Sequence, residues 1–157
     1  MRKLKTLDKF IDLVSFGSLS TNSIDQFAEI ARSGGYRVRL WETSAKKCPE
    51  IRGVEVNPCV LTKRTLIQKI RIFLIRRLGL PLSEPRRVEY LGTPQERSWA
   101  AIQSRRAEDL VPASTSLIVA LDQTSVYAVW HLSRKCQAPS VFGLAAALLE
   151  LEKLNYI

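Results

Sequence analysis

The chain begins with a strand, a helix and a second strand in quick succession, the pattern that most limits its fold. The apolar run at residues 10–16 is typical of a strand buried on both faces of a parallel sheet. Residues 36–41 alternate apolar and polar side chains, which predicts a second strand with one apolar side. The helix predicted between them has one apolar face, made of Ile24, Phe27, Ala28 and Ala31. Because two strands joined by a helix form a right-handed parallel crossover, this unit predicts an α/β sheet.

Helix boundaries within this unit are also readable. Ser23 followed by Gln26 predicts a capping box at the helix start, because each side chain can satisfy a free backbone amide there. Gly34 and Gly35 predict a left-handed exit at its end. The helix should therefore begin near Ser23.

The remainder of the chain continues the alternation of strands and helices. Predicted strands lie near residues 54–60, 87–91, 116–121 and 139–144, and predicted helices span residues 65–78, 93–110, 126–135 and 145–156. Thr93, Pro94 and Glu96 form the strongest helix start among them. We predict one domain over residues 1–157, a three-layer Rossmann-like α/β sandwich with a mainly parallel sheet.

The sequence lacks the motifs of several classes of enzyme and metal site. The chain contains no GxSxG, HExxH, CxxC or kinase signature. Cys48, Cys59 and Cys136 are widely spaced and predict reduced structural thiols, and His131 is the only histidine. We therefore expect no metal site and no cofactor. No apolar run approaches the roughly 20 residues that span a bilayer, and acidic residues interrupt the N-terminal stretch, so we expect an unprocessed cytoplasmic chain.

Charge is concentrated in residues 61–87, which form a basic amphipathic segment. This segment holds eight of the 24 basic residues and one acid, whereas the whole chain has a net charge of +9. Its local basicity predicts one discrete anionic contact instead of a chain coated with positive charge.

Three interpretations of the helix in this segment remain open. It packs Leu66, Ile70 and Leu74 on the sheet with its cations solvated, it docks on anionic lipid, or it contacts nucleic-acid phosphates. For lipid docking, Ile72, Phe73 and Ile75 would insert. The predicted headgroup or anion contacts are Lys69, Arg71, Arg76 and Arg77. Exposed isoleucines have no role on nucleic acid, so the segment favours lipid, at the inner membrane face, over nucleic acid.

Two loops at the carboxyl ends of strands are the candidate ligand site, since ligands of open parallel sheets bind there. The candidate residues are Gly17, Ser18, Asp122, Gln123 and Thr124. A solvated turn is the alternative for the first loop, and capping of the following helix is the alternative for Asp122. His131 is predicted to be a packed or surface residue.

Residues 95–148 resemble the N-terminal half of GT-B glycosyltransferases of the bacterial family 4 type. The resemblance lies in an arginine-rich helix, a buried strand ending at Asp122, a helix containing Trp130 and a short strand leading into the sequence FGL, together with the opening FGSLS loop. The single Gly17 departs from the family's glycine-rich first turn. The resemblance implies an acceptor-binding domain, often with a basic hydrophobic helix on the membrane.

This resemblance also implies that sugar transfer needs a second, donor-binding domain or subunit. We therefore expect a glycosyltransferase-like domain that binds an acceptor or a lipid surface. The alternative is a non-catalytic binding module that uses the basic helix for an anionic membrane, nucleic acid or a protein partner.

Overall fold

The computed structural model describes residues 9–17, 20–42, 50–58, 65–83, 86–87, 91–104 and 114–155. The strands are β1 (Lys9–Ser15), β2 (Tyr36–Glu42), β3 (Val54–Pro58), β4 (Thr115–Ala120) and β5 (Ser140–Phe142). The helices are α1 (Thr21–Ser33), α2 (Leu66–Leu78), α3 (Pro94–Ser104), α4 (Val126–Cys136) and α5 (Leu144–Asn155).

The five strands form one parallel sheet in the order β3-β2-β1-β4-β5. At its centre, Leu13 of β1 pairs in register with Leu40 of β2 and Val119 of β4. The chain builds outward from β1 in one direction and then returns to build in the other, so the topology switches between β1 and β4. The predicted Rossmann-like α/β fold is confirmed.

Helices cover both faces of the sheet, which makes the three layers. On one face, Leu13 and its neighbours pack with Phe27 of α1 and Leu151 of α5 in one buried cluster. On the other face, Val14 packs with Leu132 of α4 in a second cluster. Side chains of β1 therefore alternate between two apolar layers, as expected for a central parallel strand.

A fully buried ion pair lies within the second face. The Arg39 Nε donates to Asp12 Oδ1 at 2.7 Å and the Arg39 Nη2 donates to Asp12 Oδ2 at 2.9 Å. The Trp41 indole donates to Oδ1 at 3.0 Å, and the Thr115 hydroxyl donates to Oδ2 at 2.8 Å. β2 is therefore buried on both sides, whereas its alternating sequence predicted one apolar side. The alternation misled because the positively charged side chain turns inward to a carboxylate on the neighbouring strand.

The start of α1 differs from the prediction. The helix begins at Thr21 with Ser20 as its N-cap, and no side chain caps it. The amide of Ile24 donates to the Ser20 carbonyl, so Ser23 already lies inside the first turn. The predicted capping box at Ser23 and Gln26 is wrong for that reason. The glycine exit is confirmed, since Gly35 has a φ of +81°.

The strand predicted at residues 87–91 is also wrong where the structure describes it. Arg86, Arg87 and Leu91 are helical, and residues 88–90 lie outside the described residues. The Arg87 amide donates to the Ser83 carbonyl at 2.8 Å, which closes a helical turn that the apolar pattern of so short a segment does not reveal.

The capping box of α3 is confirmed. The Thr93 amide donates to Glu96 Oε2 at 2.7 Å, and the Glu96 amide donates to Thr93 Oγ1 at 3.2 Å. Pro94 occupies the first helical position, where a missing amide proton costs nothing. The predicted extension of this helix to residue 110 falls outside the described residues after Ser104.

Candidate functional site

Asp122 joins the two loops at the topological switch point between β1 and β4. Its Oδ2 accepts hydrogen bonds from the Ser15 hydroxyl at 2.9 Å, the Phe16 amide at 2.7 Å and the Gly17 amide at 3.2 Å. Its Oδ1 accepts from the Ser125 amide at 2.9 Å and from the Thr124 hydroxyl. One carboxylate therefore holds the end of β1 against the start of α4.

The electrostatics of Asp122 follow from these contacts. Burial raises the pKa of the carboxyl, but hydrogen bonds from Thr124, Phe16, Ser15 and Ser125 outweigh it and hold the pKa below its ordinary value. Asp122 is thus a carboxylate at neutral pH. Five donors engage an acceptor group with about four lone-pair positions, so the carboxylate is fully used in holding the two loops together.

The other predicted ligand residues lie in different surroundings. A Cβ at Gly17 would lie 3.7 Å from the Asp122 carboxyl group, an ordinary contact. Gln123 and Thr124 are exposed in the loop before α4. Ser18 lies outside the described residues. The structure therefore brings Gly17, Asp122 and Thr124 together, while Gln123 borders a neighbouring cleft.

That cleft has a volume of about 760 Å³ and lies between the start of α3, the exposed side of α4 and the end of β5. Its lining residues are Gln95, Gln123, Val126, Tyr127, Trp130 and Phe142. Sequence reasoning found only Gln123 among them. The sequence signal for the others was the pair of apolar side chains Val126 and Trp130, one turn apart on α4. They lie on the exposed side of the helix, whereas Val129 and Leu132 lie on its buried side.

An aromatic cluster formed by α3 and α4 surrounds His131. The imidazole stacks on Trp99 with ring centroids 4.9 Å apart, and the rings of Tyr127 and Trp130 meet it edge-on at 4.6 Å and 4.7 Å. Burial lowers the pKa of His131, and the positive charge of Arg134 lowers it further. His131 is therefore a packed, neutral histidine beside the cleft, which agrees with the prediction of a packed or surface residue.

The side of the basic helix α2 that packs against the protein is opposite to the side expected from sequence. Ile72 is the buried residue of the helix, with 8% of its surface exposed, and Ile75 is half-buried. We define the apolar stripe as its exposed large side chains: Leu66, Ile67, Ile70, Phe73, Leu74 and Leu78. Packing of Leu66, Ile70 and Leu74 on the sheet is therefore wrong. Insertion of Ile72 and Ile75 into lipid is also wrong, because these side chains are buried and half-buried, whereas Phe73 is exposed. The helix has apolar residues on two sides. The repeat of a leucine or isoleucine every four residues identifies the wider apolar side, but it does not show which side packs against the rest of the protein.

Both ends of α2 are defined by local sequence, and basic residues lie along its apolar stripe. Thr65 and Gln68 form a capping box at its start, and Gly79, with a φ of +62°, ends it in the left-handed conformation. The predicted anion contacts, Lys69, Arg71, Arg76 and Arg77, are all exposed. On a helical wheel, Arg71 borders the stripe on one side, Lys69 and Arg76 border it on the other, and Arg77 lies within it. Residues 65–83 contain no acid.

No family model matches the chain, and no curated protein matches it. Among the residues that the structure describes, no helix is long and apolar enough to cross a membrane. In those same ranges, no group of three or more histidine, cysteine, aspartate or glutamate side chains is placed to hold a metal ion.

Proposed function

We propose that this chain is a peripheral membrane domain that holds an acceptor for sugar transfer beside an anionic bilayer, with α2 lying on the lipid. The observation that carries the proposal is the apolar stripe of α2, six exposed large side chains with Lys69, Arg71 and Arg76 at its borders and Arg77 within it. Residues 65–83 contain no acid. An in-plane membrane helix has this composition, with its apolar side below the headgroups and its cations level with them.

The apolar contribution is the larger one. Fully burying a large aliphatic or aromatic side chain stabilises by about 1.5–3 kcal/mol, so six half-exposed side chains offer on the order of 5–10 kcal/mol before ordering costs. Four cations near an anionic surface add about 1 kcal/mol each. A nucleic-acid contact would use only the second contribution, which salt weakens strongly. The stripe therefore favours lipid.

Charge also argues against pairing of the stripe with a second copy of the chain. A symmetric contact would bring Arg77 and the bordering cations of each copy together, and α2 offers no carboxylate to compensate them. An anionic bilayer complements the same charges. We take the bilayer as the surface that covers the stripe.

The acceptor role rests on the resemblance to family 4 glycosyltransferases and on the position of the two loops that Asp122 connects, one after β1 and one before α4. Ligands of open parallel sheets bind at the switch point, and Asp122 fixes the loops there. In the family that the chain resembles, the donor sugar nucleotide binds a different domain. Transfer would therefore require a donor-binding domain or subunit beside this one.

Cosedimentation with vesicles tests the membrane part of this proposal. We expect the protein to pellet with vesicles of phosphatidylcholine and phosphatidylglycerol, and much less with phosphatidylcholine alone. The double variant Arg76→Glu, Arg77→Glu should bind anionic vesicles at least tenfold more weakly, because each reversal replaces an attraction of about 1 kcal/mol with a repulsion. Phe73→Ser should weaken binding to both vesicle types.

Matched controls separate α2 from general effects of charge and hydrophobicity. Lys135→Glu with Lys153→Glu makes the same change in net charge on α4 and α5, and Leu149→Ser removes an equally exposed apolar side chain from α5. These variants should bind as the wild type does. Equal losses in the controls, or no binding by the wild type, would overturn the proposal.

A further inference from the structure

The aromatic cleft lies beside the two loops that Asp122 connects, at the edge of the sheet where ligands usually bind. Gln123 follows β4, Phe142 ends β5, and Tyr127 and Trp130 come from the first two turns of α4. All four are therefore placed by the carboxyl ends of parallel strands, the usual ligand edge of such a sheet. The cleft is separate from the five hydrogen bonds that occupy Asp122.

Its lining combines exposed aromatic surface with neutral polar groups. Trp130 is 49% exposed and Phe142 is 58% exposed, large fractions for side chains that a folded domain usually covers. Gln95 and Gln123 each carry an amide that can donate and accept hydrogen bonds. A carbohydrate ring has matching chemistry, since its C–H faces are apolar and each hydroxyl both donates and accepts.

Neighbouring side chains restrain the exposed indole. The Arg134 guanidinium lies 4.9 Å from the centroid of the Trp130 ring, and His131 meets that ring edge-on at 4.7 Å. His131 is in turn stacked on Trp99. A restrained aromatic surface loses little conformational freedom when a ligand stacks on it, so the entropic cost of binding is small.

The lining itself is uncharged, and the Arg134 guanidinium beside it lies against the Trp130 ring. None of the six lining residues is charged, so a phosphate in the cleft would have no cation among them. We propose that the cleft binds the ring of an uncharged carbohydrate, stacked on Trp130 or Phe142 and hydrogen-bonded to Gln95 and Gln123. This inference rests on the proposed acceptor role, and it identifies the acceptor as a neutral glycoside.

The three indole N–H groups of the chain, from Trp41, Trp99 and Trp130, give a direct readout by two-dimensional NMR. Methyl glycosides of glucose, mannose, galactose and N-acetylglucosamine are titrated separately in the absence of lipid. We expect at least one to shift the Trp130 indole signal saturably, with a dissociation constant in the millimolar range, while the buried Trp41 signal stays unchanged. Adenosine serves as the planar aromatic competitor.

Two variants test the assignment of the site. Trp130→Ala should abolish the glycoside shifts at neighbouring signals, and Gln123→Ala, a change at an exposed loop residue, should weaken binding several-fold without affecting the fold. Leu149→Ala, on α5, should bind as the wild type does. No saturable shift with any of the four glycosides, retention of binding in both cleft variants, or a shift with adenosine alone would overturn the proposal.

Membrane docking of α2 and glycoside binding in the cleft can be rejected independently of each other. The variant Arg76→Glu, Arg77→Glu should retain the glycoside shift, because α2 contributes nothing to the lining of the cleft. Vesicle binding without a glycoside shift would reject only the cleft assignment. A glycoside shift without vesicle binding would reject only the membrane surface.

Discussion

Replacing Asp12 with asparagine should destabilise the fold severely, although the change adds no volume and leaves no cavity. Asp12 is fully buried and accepts four hydrogen bonds, two of them from Arg39. The substituted amide would remove the negative charge that Asp12 places against the buried guanidinium and put an N–H donor there instead. Removing one partner of a buried pair costs about 3–5 kcal/mol, a large share of the roughly 5–15 kcal/mol that stabilises a domain.

Urea unfolding followed by circular dichroism measures this loss, and a double-mutant cycle assigns it to the pair. Arg39→Met removes the guanidinium while keeping an apolar stem beside Phe10, whose ring the guanidinium now faces at 4.1 Å. In the double variant Asp12→Asn, Arg39→Met, neither charge of the pair remains, so its loss should be smaller than the sum of the single losses by at least about 1 kcal/mol. Additive losses, or a loss below about 1 kcal/mol for Asp12→Asn alone, would refute the reasoning.

Two further predictions concern titration. The folded-state pKa of Asp122 lies below its ordinary value of 3.8, so its stabilisation is complete above that value and is lost as pH falls through the folded-state pKa. Asp122→Asn should therefore lower the free energy of unfolding by about 1–3 kcal/mol at neutral pH, and urea melts should show that difference shrinking below pH 3.8; a constant difference would contradict this. The pKa of His131 is lowered from 6.5 by burial and by Arg134, so NMR titration of this only histidine should give a midpoint below 6.5. Trp99→Ala should raise that midpoint by exposing the imidazole, and an unchanged midpoint would argue against burial as the cause.

The parts of the fold that could be predicted from sequence are those fixed by local patterns. The apolar run of β1, the glycine exit at Gly35 and the box at Thr93 and Glu96 each depend on neighbouring residues, and each is confirmed in the structure. The position of Asp122 beyond the carboxyl end of a strand also follows from the buried apolar run at residues 116–121 that precedes it.

Features that depend on distant partners could not be predicted. Arg39 is buried because Asp12 on the adjacent strand accepts its hydrogen bonds, and sequence spacing does not reveal which strands are neighbours. The inward side of α2 is set by tertiary contact at Ile72, so the helical pattern alone selected the opposite side. The cleft joins α3, α4 and β5, which only the assembled sheet brings together.

The most direct test of membrane docking is the environment of the apolar stripe itself. An environment-sensitive fluorophore is attached at Phe73→Cys, or at Leu149→Cys as a control of equal exposure, after the three native cysteines have been replaced. Adding phosphatidylglycerol vesicles should shift the emission of the label at position 73 to the blue and leave the label at position 149 unchanged. An unshifted label at position 73, or the same shift at both positions, would contradict docking of α2 on the bilayer.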